Sequence, residues 1–297
     1  NTGDDVEISG NMVCPDLDTV LYTLSDQIDL DTWFGVDEDN ATTHDRIRQM
    51  SREIEDPYLP EDAQESGRRI ARHRRFSGEG EFMKIGDRDR ALHILRTSLI
   101  DRGHSLTEAT EVLCSQLGIE SKILPMSDDP VSTFIRTRDR GDVHFEKFWV
   151  YQNGKGTIED IFWKGLSEAT PTERVLDALN NPVIIGPSNP ITSVGPILKL
   201  PGIREALQKT TVYAVAPFVG REVFSGPAAR FMDVMGYEVG TPGLPEVYNS
   251  FLDCVVIDGS DSTQLDIPTE SLDITLDTPD DRQRLALELK SLLKAEN

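Results

Sequence analysis

The chain has 297 residues, of which 38 % are hydrophobic and 28 % charged, as expected of a globular protein and not of a disordered one. No apolar run reaches the ~18 residues that a membrane helix needs, and three widely separated cysteines argue against a disulfide framework or zinc site. The 52 acidic and 30 basic side chains give a dispersed net charge of −22, which argues against nucleic-acid binding and indicates a cytoplasmic protein of a salt-accumulating organism.

The first third of the chain is predicted to be mainly helical. Apolar residues recur at helical spacing over Asp16–Ile28, and Pro15 directly before them favours a helix start. Residues 37–83 are polar and contain prolines, so we predict an insertion of loops and short helices near the active-site mouth. Two further helices are predicted over Asp87–Ile100 and Leu106–Leu117, each followed by a glycine.

The rest of the chain alternates strand and helix patterns. Strands are predicted over Lys122–Met126, Phe145–Gln152, Val183–Ile185, Thr211–Ala216 and Asp253–Asp258. Helices are predicted over Thr172–Asn180 and Asp280–Lys294. This alternation indicates an α/β fold with a mostly parallel sheet, in which ligands bind beyond the carboxyl ends of the strands. The loops 1–5, 127–132, 186–193 and 225–227 are predicted to lie there.

Carboxylates cluster around the start of the first predicted helix. Asp16 and Asp18 lie at that start, and Asp5 lies a few residues upstream. Hard oxygen ligands near a loop suit Mg²⁺, which prefers one or two carboxylates together with water and substrate phosphates. The alternative is that Asp16 or Asp18 only caps the helix, because carboxylates favour helix N-termini.

Two further groups of polar residues suggest anion and nucleotide binding. Lys84, Arg88 and Arg90 surround the start of the helix at Asp87, where they could meet a phosphate or an anionic ring, or could simply form a solvated charged face. Two loops offer hydroxyl, amide and carboxylate groups to a nucleotide, although both also suit ordinary turns: Ser127, Asp128 and Asp129 in one, and Gly186, Ser188 and Asn189 in the other. No HExxH or GxSxG motif supports a hydrolase.

Five segments in the same order resemble the 2-phospho-L-lactate transferase (CofD) family, which makes the deazaflavin coenzyme F-420. They are PDLDTVLY at 15–22, GDRDRA at 86–91, LPMSDDPVST at 124–133, IGPSNPITS at 185–193 and SGPAARFM at 225–232. The resemblance is to haloarchaeal members and covers nearly the whole chain. It implies a Rossmann-like three-layer α/β fold with a mostly parallel sheet, forming a single domain over 1–297 with a helical insertion. The family opens with a strand and a glycine-rich phosphate loop that this sequence lacks, so we expect an N-terminal part to be absent.

The resemblance also implies a reaction. A guanosine-diphosphate-activated 2-phospholactate, or its enolpyruvyl counterpart, would donate its substituted phosphate group to the ribityl hydroxyl of the deazaflavin precursor Fo, and GMP would leave. Magnesium is the expected cofactor, and base rates favour a homodimer. An alternative from another class is a nucleotide-sugar-binding regulatory protein of the YvcK type, which shares the fold.

The family pattern implies a role for each candidate site residue. Asp18 is the candidate catalytic residue, and it is expected to contact Fo together with Lys84. Asp5 and Asp16 are the candidate magnesium ligands. The donor nucleotide is expected to bind the two polar loops, at Ser127, Asp128, Asp129, Gly186, Ser188 and Asn189.

Overall fold

The structure is a computed structural model that describes residues 1–51, 81–223 and 226–295. Residues 52–80 of the predicted insertion and part of the 225–227 loop lie outside these ranges. The chain divides into two compact units, one up to Thr172 and one from Glu173 onward. The prediction of a single domain over 1–297 therefore stays a prediction, and each unit is described by itself.

The N-terminal unit begins with a β-hairpin. Strands β1 (Val6–Ile8) and β2 (Asn11–Val13) pair antiparallel. The two residues between them, Ser9 and Gly10, have φ angles of 48° and 76°. Positive φ at both positions is the requirement of the tight hairpin turn that matches the twist of paired strands. The hairpin thereby brings the chain back toward the first helix.

Four helices follow in the described part of this unit: α1 (Pro15–Leu24), α2 (Thr42–Ser51), α3 (Asp87–Asp101) and α4 (Leu106–Gln116). Helix α1 ends four residues earlier than predicted, because the Ser25 hydroxyl donates to the Leu21 carbonyl and Asp26 has a φ of 54°. Helices α1, α3 and α4 share one apolar core with β2, formed by residues that include Met12, Leu17, Leu21, Leu92, Leu106 and Leu113.

An antiparallel sheet completes the N-terminal unit. Strand β3 (Ser132–Thr137) lies between β4 (Gly141–His144) and β5 (Ile158–Lys164). This sheet was not predicted from the sequence, and the strand prediction for Phe145–Gln152 is wrong. Residues Lys147–Tyr151 form a π-helical turn instead. Aromatic side chains favour strands on average, but Phe145 and Phe148 are buried at a spacing of three residues, which is helical.

The prediction of a strand over Lys122–Met126 is also wrong. This segment is irregular, although it is largely buried. Pro125 within it has no backbone N–H to donate to a neighbouring strand. The predicted loop 127–132 therefore leads directly into β3, which begins at Ser132. The prediction that it lies beyond the carboxyl end of a strand is wrong.

The C-terminal unit contains a four-stranded parallel sheet whose strands lie in the order Thr269–Leu272, Cys254–Asp258, Val212–Val215 and Val183–Ile185. The elements are α5 (Glu173–Ala178), β6 (Val183–Ile185), α6 (Val194–Leu198), α7 (Ile203–Leu207), β7 (Val212–Val215), β8 (Phe218–Val219), β9 (Glu222–Val223), α8 (Ala228–Val234), α9 (Leu244–Val247), β10 (Cys254–Asp258), β11 (Thr269–Leu272) and α10 (Pro279–Ala295). Leu285 and Leu289 of α10 pack on Tyr213, Val215 and Val256 of the sheet. The predicted α/β class with a parallel sheet is confirmed.

The helices of the described ranges do not include one that is both long and apolar enough to cross a bilayer.

Candidate functional site

A cavity of about 830 Å³ opens in the N-terminal unit. Its volume falls within the range typical of small-molecule sites. Helices α1 and α3, the segment 29–41 and the π-helical turn supply its walls. Two residues predicted as acceptor contacts, Asp18 and Lys84, both line it, and its other polar lining residues include Tyr22, Asp39, Asp89, His93, Glu146 and Asn153.

The Asp18 carboxylate is held on both oxygens by protein donors. The guanidinium of Arg96 donates to Oδ1 and also to Oδ2, the latter at 3.2 Å. The Cys14 amide donates to Oδ2 at 3.1 Å, and Nε2 of His93 lies 3.0 Å from the same oxygen. Burial by itself raises the pKa of Asp18, but the charge of Arg96 and the contact with His93 outweigh it and hold the pKa well below its ordinary range. Asp18 is therefore a fixed anion in the cavity wall.

His93 connects Asp18 to a second carboxylate. Its Nε2 atom lies 3.0 Å from Oδ2 of Asp18 and 3.0 Å from Oδ1 of Asp89. The Tyr22 hydroxyl donates to the same Asp89 oxygen at 2.5 Å. Burial alone lowers the pKa of His93, but the two carboxylates outweigh it and raise this pKa. His93, Asp89 and Tyr22 were not predicted as site residues from the sequence.

The Asp39 carboxylate positions the start of α3 and leaves no room for a side chain at Gly86. Both oxygens of the Asp39 carboxylate accept from the Arg88 amide, and Oδ2 also accepts from the Asp89 amide at 3.0 Å. A Cβ atom on Gly86 would lie 2.1 Å from Oδ2 of Asp39. The glycine of the GDRDRA segment therefore permits the cap that places Asp89 at the cavity. Lys84, two residues before it, is exposed at the cavity and forms no ion pair with another described residue.

The π-helical turn contributes a wall with both polar and aromatic character. Glu146, Trp149, Val150 and Asn153 line the cavity from this turn and its flanks. Glu146 is buried, and this burial together with the nearby charge of Asp16 raises its pKa to about 8. The aromatic residues in this stretch were visible in the sequence, but the strand prediction did not show that Trp149 lines the cavity while Phe148 is buried.

The described residues contain one group with metal-ligand spacing, formed by Asp18, Asp89 and His93. A hard cation does not suit this group, because Arg96 already neutralises Asp18 and supplies positive charge. The predicted ligands Asp5 and Asp16 lie outside it. Asp5 is buried, whereas the Asp16 side chain is 36 % exposed.

A different set of acidic groups surrounds Asp16. Burial, followed by the negative charges of Asp16 and Glu146, raises the pKa of Asp4 well above its ordinary value. The pKa of Glu146 is raised by burial and by Asp16 as well. Buried carboxylates that repel one another can be stabilised by a cation, and their oxygen atoms are the ligand type that Mg²⁺ prefers.

In the predicted nucleotide loop at 127–129, the carboxylates accept hydrogen bonds from backbone amides of the N-terminal unit. Oδ1 of Asp128 accepts from the Thr107 amide at the start of α4, at 2.7 Å. Oδ2 of Asp129 accepts from the Thr170 amide at 3.0 Å, and the Ser127 hydroxyl donates to the Thr170 carbonyl at 2.6 Å. Ser127 is fully buried. These contacts stabilise the loop, and the assignment of its residues to a nucleotide stays a prediction.

The other predicted nucleotide loop lies in the C-terminal unit, directly after β6. Gly186 and Ser188 are exposed, and no heavy atom lies within 4 Å of a Cβ placed on Gly186. Oδ1 of Asn189 accepts from the amides of Ile191 and Thr192, which orders the turn before α6. The loop follows the carboxyl end of a parallel strand, as predicted, and leaves backbone accessible at Gly186.

Comparisons with known proteins agree with the resemblance found in the sequence. The family model described as 2-phospho-L-lactate transferase CofD matches residues 1–290. A 2-phospho-L-lactate transferase from Haloarcula marismortui is 49 % identical over 289 residues, covering 96 % of this chain and 87 % of the relative. The enzyme of the same name from Halobacterium salinarum is 47 % identical over 301 residues, with 99 % and 89 % covered.

A solved structure supports the fold. The crystal structure of a Bacillus halodurans protein is similar with a TM-score of 0.51, at 14 % sequence identity. The similarity covers 95 % of this chain and 88 % of the other. At this identity the likeness concerns the α/β fold alone, and the residues of the cavity must be interpreted on their own chemistry.

Proposed function

Because the chain belongs to the 2-phospho-L-lactate transferase CofD family, we propose that it transfers a phospholactyl or enolpyruvyl phosphate group to the deazaflavin Fo in coenzyme F-420 biosynthesis. The donor is the guanosine-diphosphate-activated acid, and GMP is released. One observation carries the acceptor part of this proposal: the cavity brings Asp18 and Lys84 together with exposed aromatic side chains. A flat ring with a polyol chain needs this combination of apolar and polar walls.

The acceptor end of the reaction requires a well-placed hydroxyl. Asp18 is ionised and fixed by Arg96 and His93, so its remaining lone pairs can accept a hydrogen bond from the ribityl hydroxyl and orient it. Its low pKa makes it a weak base, so we assign Asp18 to orienting the nucleophile. Lys84 can balance negative charge at the same cavity.

The transfer itself exchanges one bond to phosphorus for another. The ribityl oxygen bonds to the phosphorus next to the lactyl group, and the bond from that phosphorus to the GMP oxygen breaks. GMP leaves with the electron pair, and the hydroxyl proton passes to solvent or a nearby base. In such reactions, positioning and charge neutralisation supply most of the rate enhancement.

The donor and the metal would bind through the predicted polar groups. We propose that the Gly186–Asn189 loop, which leaves backbone accessible at Gly186, receives the guanosine diphosphate part, while Ser127, Asp128 and Asp129 stay predicted donor contacts whose side chains order their own loop. Asp16 with Asp5 would hold magnesium. Burial and then the charge of Asp16 raise the pKa of Asp4, so a cation bound at Asp16 would offset the repulsion between these two carboxylates. Magnesium would supply charge stabilisation for the phosphate oxygens.

A mass-spectrometric transfer assay in molar salt tests the proposal. The chain is incubated with Fo, the lactyl or enolpyruvyl guanosine diphosphate donor and magnesium, with a chelated sample as the metal control. We expect Fo to gain the substituted phosphate only when magnesium is present, and Asp18→Asn to reduce the rate at least about a hundredfold. Asp142→Asn, on the exposed face of β4, is the matched control and keeps full activity.

The regulatory alternative predicts a different result. A folded chain that binds the guanosine nucleotide but forms no product with either donor would contradict the transferase proposal.

A further inference from the structure

The π-helical turn presents a continuous strip of side chains to the cavity. The strip consists of Glu146, Trp149, Val150 and Asn153, spaced by three, one and three residues. Trp149 and Val150 are neighbours in sequence, and 38 % and 39 % of their surfaces remain exposed. In a strand, adjacent side chains point to opposite faces, so only the helical conformation turns both residues toward the cavity. The buried Phe148 anchors the turn on its other side.

A glycine leaves the space that the Trp149 ring occupies. Gly154 has a φ of 62°, and a Cβ on it would lie 2.8 Å from Cζ3 of Trp149. The Gly154 amide donates to the Phe148 carbonyl at 2.9 Å, which closes the end of the turn. The indole therefore rests against bare backbone while part of it faces the cavity. A surface fixed in this way loses little conformational entropy when a ligand packs on it.

A second exposed aromatic residue lines the same cavity from a different segment. Phe34 is 65 % exposed, and the Thr32 hydroxyl donates to its carbonyl at 2.9 Å. Large apolar side chains are costly to leave in water, and a cluster of them at a cavity indicates a ligand surface. Val36 and Met83 add further apolar lining to the cavity.

We propose that Trp149 is a specificity-determining residue that selects acceptors with a flat conjugated heterocycle by stacking on the ring. This inference rests on the proposed function, in which the cavity binds the acceptor. Phe34 adds a second apolar contact, while Asp18 and Lys84 receive the polyol and polar part. Acceptors with a polyol chain but no flat ring are excluded because they leave the indole uncovered. In this proposal the wall serves the acceptor, so the KM for the donor should not depend on Trp149.

Steady-state kinetics with Fo and the guanosine diphosphate donor test the role of Trp149. We expect Trp149→Ala to raise the KM for Fo about tenfold, with the KM for the donor unchanged. Trp149→Phe keeps a flat ring and should restore most of the affinity. The control is Tyr151→Ala, because Tyr151 lies on the same turn, is half exposed and does not line the cavity. An unchanged KM for Fo in Trp149→Ala, with a wild type that transfers normally, overturns the inference and leaves the proposed function standing.

Fluorescence provides a readout that does not depend on turnover. We expect Fo to quench part of the tryptophan emission of the wild type, and a smaller part of the emission of Trp149→Phe, which retains Trp33 and Trp163. Equal quenching in both proteins contradicts stacking on Trp149. A wild type that shows neither quenching nor transfer with Fo contradicts the proposed function and the inference together.

The position of the Trp149 ring against Gly154 can be tested separately. Gly154→Ala places a methyl group against the indole, and we expect the KM for Fo to rise as in Trp149→Ala. Gly118→Ala is the matched control, because Gly118 has a similar φ of 70° with no heavy atom within 4 Å of a Cβ. An equal rise of the KM for Fo in the two glycine variants would show that backbone strain and not the position of the ring matters. That result, or an unchanged KM in Gly154→Ala, contradicts the inference.

Discussion

Arg96 of α3 and Asp18 of α1 form a buried ion pair at the wall of the cavity. The arginine side chain is completely inaccessible, and Asp18 is nearly so. The two residues are 78 positions apart in the chain, so the pair forms only when α3 packs beside α1. Because the pair both joins two helices and fixes the candidate acceptor contact, stability and activity are coupled at this point.

Removal of Arg96 should strongly destabilise the protein. Arg96→Met leaves the Asp18 charge buried without its main partner, and we expect the free energy of unfolding to fall by about 3–5 kcal/mol. Urea unfolding at constant molar salt measures the change. Arg136→Met is the control, because Arg136 pairs with Asp142 on the exposed face of β3 and should change stability far less. Equal losses in the free energy of unfolding would show that the buried ion pair contributes no more to stability than the exposed one.

Lys84 should affect the acceptor more than the donor. Its ammonium is exposed at the cavity without an ion-pair partner among the described residues, so charge interactions with a bound acceptor are available to it. We expect Lys84→Ala to raise the KM for Fo by roughly threefold to tenfold and to leave the donor KM unchanged. Lys122→Ala, an exposed lysine away from the cavity, is the control. An unchanged affinity for Fo would remove Lys84 from the site.

Gly86 should tolerate no larger residue while Asp39 is present. Gly86→Ala brings a methyl group against the carboxylate that caps α3, and we expect a loss of about 1–3 kcal/mol in the free energy of unfolding. Asp39→Ala removes the obstacle and the cap together, so the double variant should lose less than the sum of the single changes. Additive losses would mean that the two residues do not interact. Gly259→Ala, with ordinary space around it, is the control.

The stability of the protein should depend on the ionisation of Glu146. Its pKa is raised from 4.5 to about 8, so the folded protein holds a proton that the unfolded chain releases in this interval. The contribution of Glu146 to stability is therefore lost as the pH rises from about 5 to 8. With a chelator present in both samples, the Tm of the wild type should fall relative to the Tm of Glu146→Gln as the pH rises over this range.

The control for this pH dependence is Glu159→Gln, because Glu159 pairs with Arg138 on the surface. This variant should follow the wild type at every pH. Parallel Tm curves for the wild type and Glu146→Gln would show that Glu146 ionises normally in the fold.

Local sequence patterns predicted the helices and strands that can be recognised from their own residues and the residues beside them. The helices near Asp87 and Leu106 begin where predicted, because a glycine or serine precedes each and apolar residues repeat at helical spacing. The strands β6, β7 and β10 were found because buried parallel strands are short continuous apolar runs. The antiparallel sheet was missed because its strands mix polar and apolar residues without regular alternation.

By itself, the sequence determined the family, the α/β class and two residues of the cavity, because these depend on contiguous segments such as PDLDTVLY and GDRDRA. Only the tertiary structure decided that His93 joins Asp18 to Asp89, and that Glu146 and Trp149 line the same cavity. Those relationships connect residues far apart in the chain, and their charges and burial exist only once the helices and the π-helical turn have packed together.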